Sequence, residues 1–308
     1  MSISVLGIDT SNYTTSVALV TDGKVIANIK IPVFVNSGEK GVRQSDAVFS
    51  HVKNLPIAME KLADLPKLAA VGYSGAPRDC EGSYMPCFLT GEAVARSVAM
   101  ANSIPSYRFS HQAGHVMAAL YSAGKEDLLA GQFAAFHVSG GTTEILLVEP
   151  GMKIQKIGGT VDLTAGQAID RIGVMLGLQF PCGPALESLA KEGSIHRDKI
   201  CVNELNCNLS GLENKAAQML KKGESHADIA AYTIEFIRRT LCKMSENLRI
   251  DYPDIPILYA GGVMSCSLIK NDFEKRFGGF FADPAFSSDN AAGTALLCYR
   301  AIAQGADK

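Results

Sequence analysis

The chain has 308 residues, of which 47% are hydrophobic and 19% are charged, and 29 basic against 31 acidic residues give a net charge of -2. These values exclude a disordered or collagen-like chain and predict two globular domains, because a single core rarely extends over so long a chain. They give no general attraction to nucleic acid, so RNA binding would need a local basic patch. Three basic pairs could contribute to one, although such pairs more often lie on solvated helix faces: Lys221-Lys222, Arg238-Arg239 and Lys275-Arg276.

Targeting and redox signals point to a cytoplasmic protein. No apolar run reaches the roughly 18 residues of a membrane-spanning helix, and the N-terminus MSISVLGIDT has no charged region or cleavage site of a signal peptide. The eight cysteines include no C-x-x-C pair, which predicts free thiols rather than a disulfide framework. Zinc binding at Cys80 and Cys87, or at Cys201 and Cys207, is the alternative, but these spacings are wide for a finger.

Two segments of the chain form an internal repeat. GIDTSNYTTSVALVTDGKVIA and AFHVSGGTTEILLVEPGMKIQ align without a gap, with Thr14 on Thr142, at an offset of 128 residues. Each predicts a strand, a polar turn, a second strand, a turn with glycine and a third strand. The repeat indicates two lobes of similar fold, which we place at 1–128 and 129–308 with the last helix able to pack on the first lobe. A chance likeness of two strand-turn-strand units is the alternative.

The remaining segments alternate between helix and strand. After the first repeat, SDAVFSHVKNLPIAMEKLAD predicts a helix, LAAVGYSGAP a buried strand, LTGEAVARSVAMANSI a helix and PSYRFS a short strand. After the second, residues 162–240 are predicted to be largely helical around a loop, LQFPCGPALESLA, and IPILYAGGVMSCSLIKNDFEKRF predicts a strand, a Gly-Gly turn and a helix. This alternation predicts an α/β fold.

Two turns are candidates for binding phosphate. In Ser139–Thr143, small residues leave the backbone N–H groups free to converge on an anion, although a hairpin turn without a ligand is at least as common. The turn at Gly261-Gly262 precedes a predicted helix and could face a phosphate or a ribose.

Eight motifs, in order along nearly the whole chain, resemble those of the TsaD family (formerly Gcp), which includes the catalytic subunit of the KEOPS complex. They are GIDTSNYTTSVAL, YSGAP, HQAGH, VSGGTTE, VDLTAGQAIDRIGVMLGLQFPCGPALE, LSGL, LYAGGV and SSDNAAGTAL. The resemblance implies the actin-like fold of sugar kinases and Hsp70-type ATPases, with two related lobes around a nucleotide cleft.

Histidines are the candidate metal ligands. His111 and His115 are four residues apart on a predicted helix, so they project from one face and could share a metal ion; a surface pair is the alternative. The resemblance implies that both bind iron or zinc together with Asp289. His137 aligns with Asp9 in the repeat and occupies the position of a tyrosine ligand in archaeal members, so we predict a fourth ligand or a neighbour of the metal. A histidine hydrogen-bonded within its strand is the alternative.

The nucleotide site is predicted partly by spacing. Asp162, Gly166 and Asp170 are four residues apart and would line one side of a helix, with the glycine leaving room for a base or ribose, although Asp162 could instead be an N-cap. The resemblance implies an adenine nucleotide: ATP, AMP or threonylcarbamoyl-AMP. The predicted nucleotide-binding residues are Ser139, Gly140, Gly141, Thr142, Thr143, Asp162, Gly166, Gly183, Glu187, Gly261, Gly262 and Cys266. The candidate catalytic residues are Asp9 and Ser139.

The resemblance also implies a reaction, transfer of a threonylcarbamoyl group from threonylcarbamoyl-AMP to the exocyclic amine of a tRNA adenosine. It implies partner proteins of a TsaB/TsaE-like or KEOPS-like assembly, and a homodimer is possible. HQAGH lacks the glutamate of H-E-x-x-H, which argues against a zinc peptidase. No Ser-His-Asp or Cys-His arrangement is evident, so no covalent acyl-enzyme is expected.

Departures from the family motifs indicate a divergent paralogue. Cys266 replaces an asparagine, Glu213 a lysine and Glu144 a glutamine, while Asn12 and Tyr13 stand where the first turn usually has an acidic pair. Glu213 and Glu144 are expected to make the cleft more acidic. Two alternatives therefore stay open: a carbamoyl-type transferase or nucleotide hydrolase with a substrate other than tRNA, and a non-catalytic partner subunit.

Overall fold

The computed structural model describes residues 2–33, 42–62, 65–287 and 291–305. The chain divides into two compact units, one of Met1–Ser122 with Ala285–Lys308 and the other of Ala123–Pro284. The C-terminal segment thus belongs to the first unit. The lobe limits 1–128 and 129–308 stay a prediction.

The described residues form twelve strands and nine α-helices. The strands are β1 (Ser4–Ser11), β2 (Thr14–Thr21), β3 (Lys24–Pro32), β4 (Leu68–Ala76), β5 (Ser106–Ser110), β6 (Phe133–Val138), β7 (Thr143–Glu149), β8 (Lys153–Thr160), β9 (Cys201–Asn203), β10 (Asn206–Asn208), β11 (Ile257–Ala260) and β12 (Phe280–Phe281). The helices are α1 (Gln44–Glu60), α2 (Phe88–Ala101), α3 (His111–Ser122), α4 (Ala165–Met175), α5 (Gly183–Ala190), α6 (Ser210–Lys221), α7 (His226–Asp251), α8 (Ser267–Arg276) and α9 (Ala292–Ala303).

The sheet of the first unit has the strand order β3-β2-β1-β4-β5. The strands β1, β2 and β3 form an antiparallel meander, and β4 and β5 continue the sheet in parallel with β1. All eight residues of β1 are buried, as expected of a central strand covered on both faces, whereas the edge strand β3 is partly exposed. The predicted strands and helices of this unit are confirmed.

The sheet of the second unit repeats this order. Within β12-β11-β6-β7-β8-β10-β9, the five strands β8-β7-β6-β11-β12 match β3-β2-β1-β4-β5 in order and in direction. The second turn of each repeat has two consecutive residues with positive φ, Asp22-Gly23 and Gly151-Met152, as a type I′ hairpin turn requires. The repeat predicted from the sequence is therefore confirmed as a repeat of topology.

Residues 162–240 are largely helical, as predicted, with two departures from the predicted elements. Residues 201–208 are not helical but form the hairpin β9-β10, in which Cys207 is buried and pairs with Thr160 of β8. The predicted loop LQFPCGPALESLA includes helix α5, which begins at Gly183 with a proline in its first turn. The strands are short and largely exposed, so the alternation of buried residues was too brief to detect.

Helix α9 packs very closely on the first unit through glycines. A Cβ atom on Gly293 would lie 1.8 Å from Gly114 O in α3, and one on Gly7 of β1 would lie 2.6 Å from Ala291 O. A Cβ atom on Gly72 of β4 would lie 2.7 Å from Cys298 Cβ. The absence of side chains at these positions lets α9 lie against both the central strands and α3.

The described helices and the cysteines have two further general properties. None of the helices in the described ranges combines the length and apolar character needed to cross a bilayer. All eight cysteines are free thiols. Burial raises the pKa of Cys207 to about 12 and that of Cys87 to about 11, so both are protonated near neutral pH.

We predict that Gly293→Ala lowers the free energy of unfolding by about 1–3 kcal/mol, because the new methyl group must displace α3 backbone. Gly211→Ala is the matched control, since a Cβ atom at that position in α6 meets nothing within 4 Å. This control should be neutral or slightly stabilising. Urea unfolding of the two variants tests the prediction, and equal effects would contradict it.

Candidate functional site

The first unit brings the two predicted metal-binding histidines together. Ser110 ends β5, donates through Oγ to Asp79 Oδ2 at 2.8 Å and accepts from the amide of Ala113 at 3.2 Å, so it caps the start of α3. His111 and His115 lie one turn apart on this helix, with their Nε2 atoms 2.9 Å apart. Both imidazoles therefore project from one face, as the spacing predicts.

A buried carboxylate orients the first histidine. Asp9 on β1 is fully buried, and its Oδ2 lies 3.1 Å from His111 Nδ1. An ionised carboxylate only accepts, so the contact assigns the proton to Nδ1 and leaves the Nε2 lone pair of His111 directed toward His115. Asp9 Oδ1 is also buried and has no hydrogen-bond partner among the described residues.

This arrangement fits a metal ion. Two imidazole nitrogens that bind one ion at about 2 Å each lie roughly 3 Å apart, close to the observed 2.9 Å. A carboxylate on the other ring nitrogen is the usual support of a metal-bound histidine. Within the described ranges, no group of three or more potential ligands is assembled. Asp289 lies outside the described residues and His137 belongs to the second unit, so their roles as ligands stay predictions.

A third histidine near Asp9 was missed from the sequence. His51 of α1 is fully buried, its Nδ1 lies 2.8 Å from Thr15 Oγ1, and Asn54 Nδ2 donates to the same hydroxyl at 3.3 Å. The buried residues of α1 include Ala47, His51 and Leu55, spaced four apart. A histidine within that apolar stripe was the signal that could have identified it.

Helix α1 also holds the first turn of the repeat. Gln44 Nε2 donates to Asn12 Oδ1 at 2.7 Å, and Gln44 Oε1 accepts from the amide of Cys87 at 3.2 Å. Thr10 Oγ1 donates to the carbonyl of Cys87 at 2.9 Å. The segment that lacks the family's acidic pair is thus fixed by neutral amides, and the neighbouring Tyr13 is 46% exposed.

In the second unit, the Ser139 hydroxyl binds backbone amides of the turn Ser139–Thr143, which the sequence predicts to bind phosphate. Ser139 Oγ accepts from the amides of Gly141 at 3.3 Å and of Thr142 at 3.2 Å. A phosphate at this turn would replace the hydroxyl as acceptor of these N–H groups. His137, which is 8% exposed, contacts the same turn through Nδ1, 3.2 Å from Thr142 Oγ1.

The N-terminus of α4 is tied to this turn. Thr164 caps the helix, accepting from the amide of Gln167, and donates through Oγ1 to Gly140 O at 2.8 Å. The amide of Ala165 donates to Thr143 Oγ1 at 2.9 Å. The positive end of the helix dipole therefore faces the turn, which favours an anion there.

Two expectations about α4 are wrong. Asp162 precedes the helix, so it neither caps α4 nor shares a helix side with Gly166 and Asp170. The space beside Gly166 is filled by the turn, because a Cβ atom there would lie 2.5 Å from Ser139 O. The glycine therefore allows close packing of α4 on the turn. Asp170 accepts from the amide of Cys182 at 2.8 Å, and burial raises its pKa.

Asp162 instead binds the start of α6. Its carboxylate accepts from the amides of Leu163 at 2.6 Å, Leu209 at 2.8 Å and Ser210 at 3.2 Å, and from Ser210 Oγ at 2.7 Å. Partial burial opposes ionisation, but these hydrogen bonds outweigh it and hold the pKa of Asp162 well below its usual value. These contacts give Asp162 a structural role; contact with a nucleoside stays a prediction.

The Gly-Gly turn lies beside the Ser139–Thr143 turn, at the same end of the neighbouring strands β6 and β11. Gly261 follows β11 with φ of 97°, and the amide of Val263 donates to Val138 O at 3.2 Å, just before Ser139. A Cβ atom on Gly262 or on Gly183 would meet no other atom within 4 Å among the described residues, so both glycines leave open space.

Glu187 connects α5 to the start of α8. It accepts from the amide of Ser267 at 3.1 Å and from the Ser267 hydroxyl. Partial burial opposes ionisation, but these bonds and Lys191 lower the pKa of Glu187. Burial, reinforced by the charge of Glu187, raises the pKa of Cys266 to about 11. Cys266 is the N-cap residue of α8, and nucleotide binding by Cys266 and Glu187 stays a prediction.

The acidic departures from the family motifs have basic partners. Glu213 lies 3.0 Å from Arg171 Nη1, and Glu144 lies 3.6 Å from Lys156 Nζ. These basic residues offset the negative charge that the two glutamates were expected to add to the site.

Comparisons with known proteins agree with the motifs. The family model "TsaD: tRNA N6-adenosine threonylcarbamoyltransferase" matches residues 25–296. The tRNA N6-adenosine threonylcarbamoyltransferase of Thermosipho africanus is 28% identical over 98% of this chain and 95% of its own, and that of Thermus thermophilus is 31% identical over 99% and 94%.

A solved structure supports the fold. Full-length HypF in its phosphate- and nucleotide-bound form matches 97% of this chain and 56% of its own with a TM-score of 0.61 and 13% identity. The predicted actin-like α/β fold is confirmed.

We predict that His51 makes stability fall at acidic pH. Burial lowers its pKa, against the opposing charge of Asp9, so the unfolded chain binds a proton more readily than the folded one. Stability from this group is complete above the unfolded pKa of about 6.5 and is lost as the pH falls toward the lower folded pKa. In urea unfolding between pH 7.5 and 5.0, His51→Gln should show a smaller loss than wild type. The exposed His226→Gln serves as control, and an unchanged pH dependence in His51→Gln would refute this role.

We predict that Asp162→Asn lowers the free energy of unfolding by about 1–2 kcal/mol, because an NH2 group in place of one carboxylate oxygen cannot accept from the amide of Ser210 and the remaining hydrogen bonds lose their charge. The exposed Asp127→Asn removes the same charge and should change stability little. Thermal unfolding of both variants measures these changes. An Asp162→Asn protein with the stability of the wild type would show that the contacts of Asp162 with α6 are dispensable.

Proposed function

This chain belongs to the TsaD family of tRNA N6-adenosine threonylcarbamoyltransferases, and we propose that it transfers a threonylcarbamoyl group from threonylcarbamoyl-AMP to a tRNA adenosine. The family match over residues 25–296 and the enzyme names of the relatives identify it as an enzyme. The specific proposal depends on the arrangement of Asp9, His111 and His115. The two histidines of the family's metal-binding motif lie side by side, and the Asp9 carboxylate orients the first of them.

His111 and His115 would hold the metal, iron or zinc, with Asp289 and His137 as further predicted ligands. When bound, the metal would supply a Lewis acid that polarises the carbamoyl carbonyl. Asp9 keeps the proton of His111 on Nδ1, which leaves Nε2 as a ligand atom. Asp9 is fully buried, so we assign it the role of orienting His111 rather than contacting the acceptor.

The phosphate of threonylcarbamoyl-AMP would bind at the turn Ser139–Thr143. The amides of Gly141 and Thr142, now bonded to Ser139 Oγ, would donate to phosphate oxygens, and the N-terminus of α4 would add its dipole. These donors stabilise the negative charge that develops as AMP leaves. Ser139 would thus act by yielding its hydrogen bonds, without forming a covalent intermediate.

The transfer itself exchanges one bond for another. The exocyclic nitrogen of adenosine attacks the carbamoyl carbon, a C–N bond forms, and the C–O bond to the phosphate of AMP breaks. The amine loses one proton to solvent or to the departing phosphate. The protein's contribution is to hold both reactants in position, which lowers the entropic part of the barrier.

The acceptor is proposed to be tRNA rather than another amine. Glu213 and Glu144 are acidic departures from the family motifs and would argue for a different substrate. Arg171 and Lys156 offset their negative charge, so they do not argue against a polyanionic acceptor. The same proposal includes an adenine nucleotide as ligand and a cytoplasmic location. It also includes partner proteins of a TsaB/TsaE-like or KEOPS-like assembly and a homodimer.

We predict that purified protein binds one metal ion per chain and releases AMP from threonylcarbamoyl-AMP only when unmodified tRNA is present. Asp9→Asn should weaken metal binding by about 10–100-fold, because a neutral amide replaces the carboxylate that supports His111. The double variant His111→Ala/His115→Ala should lose both the metal and AMP release. Elemental analysis and an AMP assay, with partner proteins added where activity requires them, measure these outcomes.

His226→Ala, an exposed histidine in the second unit, is the matched control and should keep metal and activity. AMP release that does not depend on tRNA would reject the proposed acceptor in favour of another amine or of hydrolysis. Absence of metal from the wild-type protein would favour the non-catalytic subunit.

A further inference from the structure

Cationic side chains line an open pocket in the second unit. The pocket lies along α7, with α8 on one side and the segment before β9 on the other, and has a volume of about 340 Å³. Five of its eight lining residues are basic and one is acidic: the basic ones are Arg197, Arg238, Arg239, Lys243 and Arg276, and the acidic one is Glu246. The basic pair Arg238-Arg239 and one residue of the pair Lys275-Arg276 thus contribute to one surface.

A chain of ion pairs forms the frame of this pocket. Glu235, which is 6% exposed, binds both Arg197 at 3.0 Å and Arg238 at 2.8 Å. Arg238 also pairs with Asp272 of α8.

The chain continues along α8 and back to α7. Arg276 lies 3.7 Å from Asp272 and 2.6 Å from Glu246, and Glu246 lies 3.6 Å from Lys243. Each carboxylate is shared between two cations, and the three carboxylates do not neutralise all four cations of the frame.

Arg239 adds a further charge. Its Nη1 donates to the carbonyl of Asp198 at 2.7 Å, and among the described residues no carboxylate lies within ion-pair distance of it. Five cations therefore face three carboxylates, an excess of two positive charges on a protein whose net charge is -2. The side chains of Arg197, Lys243 and Arg276 are 64%, 48% and 40% exposed, so they can reach a ligand in solvent.

We infer that this pocket binds the phosphodiester backbone of RNA, and of tRNA in particular. One arginine guanidinium group can donate two parallel hydrogen bonds to two oxygens of a phosphate, and the excess positive charge of the pocket favours an anion. Arg239 and Lys243 are one turn apart on α7, about 6 Å along the helix axis, so the cations can contact more than one phosphate. The open, side-chain-lined pocket suits contact with a backbone, which carries no sequence information, better than enclosure of one small anion.

The pocket shows no sign of being a second catalytic centre. Its one thiol, Cys242, donates to Asp272 Oδ2 at 3.4 Å, and burial raises its pKa to about 12, so it is protonated near neutral pH.

This inference rests on the proposed function, because tRNA is the polyanion that the proposed reaction requires.

Binding of fluorescent tRNA to the full-length, metal-loaded protein over a series of salt concentrations tests the inference. Arg239→Gln/Lys243→Gln should bind tRNA about tenfold or more weakly at low salt. Its slope of log K against log salt should be shallower by about 1–2, as expected for loss of one or two phosphate contacts. In the AMP assay, KM for tRNA should rise while kcat at saturating tRNA stays near that of wild type, since the variant leaves the metal and phosphate sites intact.

Lys221→Gln/Lys222→Gln removes the same charge from the end of α6, outside the pocket, and should retain wild-type affinity and slope. Equal losses of tRNA affinity in the two double variants would show that only the net charge of the protein matters, and would overturn the inference. Unchanged tRNA binding by the pocket variant, with tRNA-dependent AMP release intact, would overturn it while leaving the proposed function standing. A wild-type protein that binds inorganic phosphate at the pocket but no tRNA would overturn both.

Discussion

The contact between the Asp9 carboxylate and His111 Nδ1 is the constraint on which the first unit's candidate site depends. A carboxylate buried at the centre of a sheet is costly unless hydrogen bonds or a charge partner compensate it. Asp9 meets this requirement at one oxygen through His111, which fixes the orientation of the ring toward His115. Helix α9 packs against the same strand at Gly7, so the sheet, the helices and the histidine pair form one connected structure.

The second unit builds the turn that we propose as an anion site from the same repeat with different residues. The strand β6 ends in a turn whose amides are held by Ser139, and the N-terminus of α4 packs on it because Gly166 has no side chain. Where the first repeat has Asp9, the second has His137, which contacts the turn through Thr142. One topology thus supports a carboxylate–histidine pair in one unit and a turn of small residues capped by a hydroxyl in the other.

Patterns of short range were predictable from the sequence, and contacts between distant segments were not. The repeat, the helix carrying His111 and His115 and the Gly-Gly turn after β11 depend on local periodicity and glycine placement. The role of Asp162 was missed because its partners, Leu209 and Ser210, are more than 45 residues away. The hairpin β9-β10 was missed because its inward side chains are too few to give a pattern, and the charge excess near Arg239 arises only when α7 and α8 pack together.

An anomalous-scattering map from crystals of the metal-loaded protein tests most directly whether Asp9 orients the two histidines to share a metal. We expect one metal peak about 2.0–2.3 Å from the Nε2 atoms of both His111 and His115. The Nδ1 atom of His111 should remain bonded to Asp9. A peak bound by only one of the two histidines, or one coordinated through His111 Nδ1 in place of Asp9, would contradict the central claim that the buried carboxylate orients the pair to share a metal.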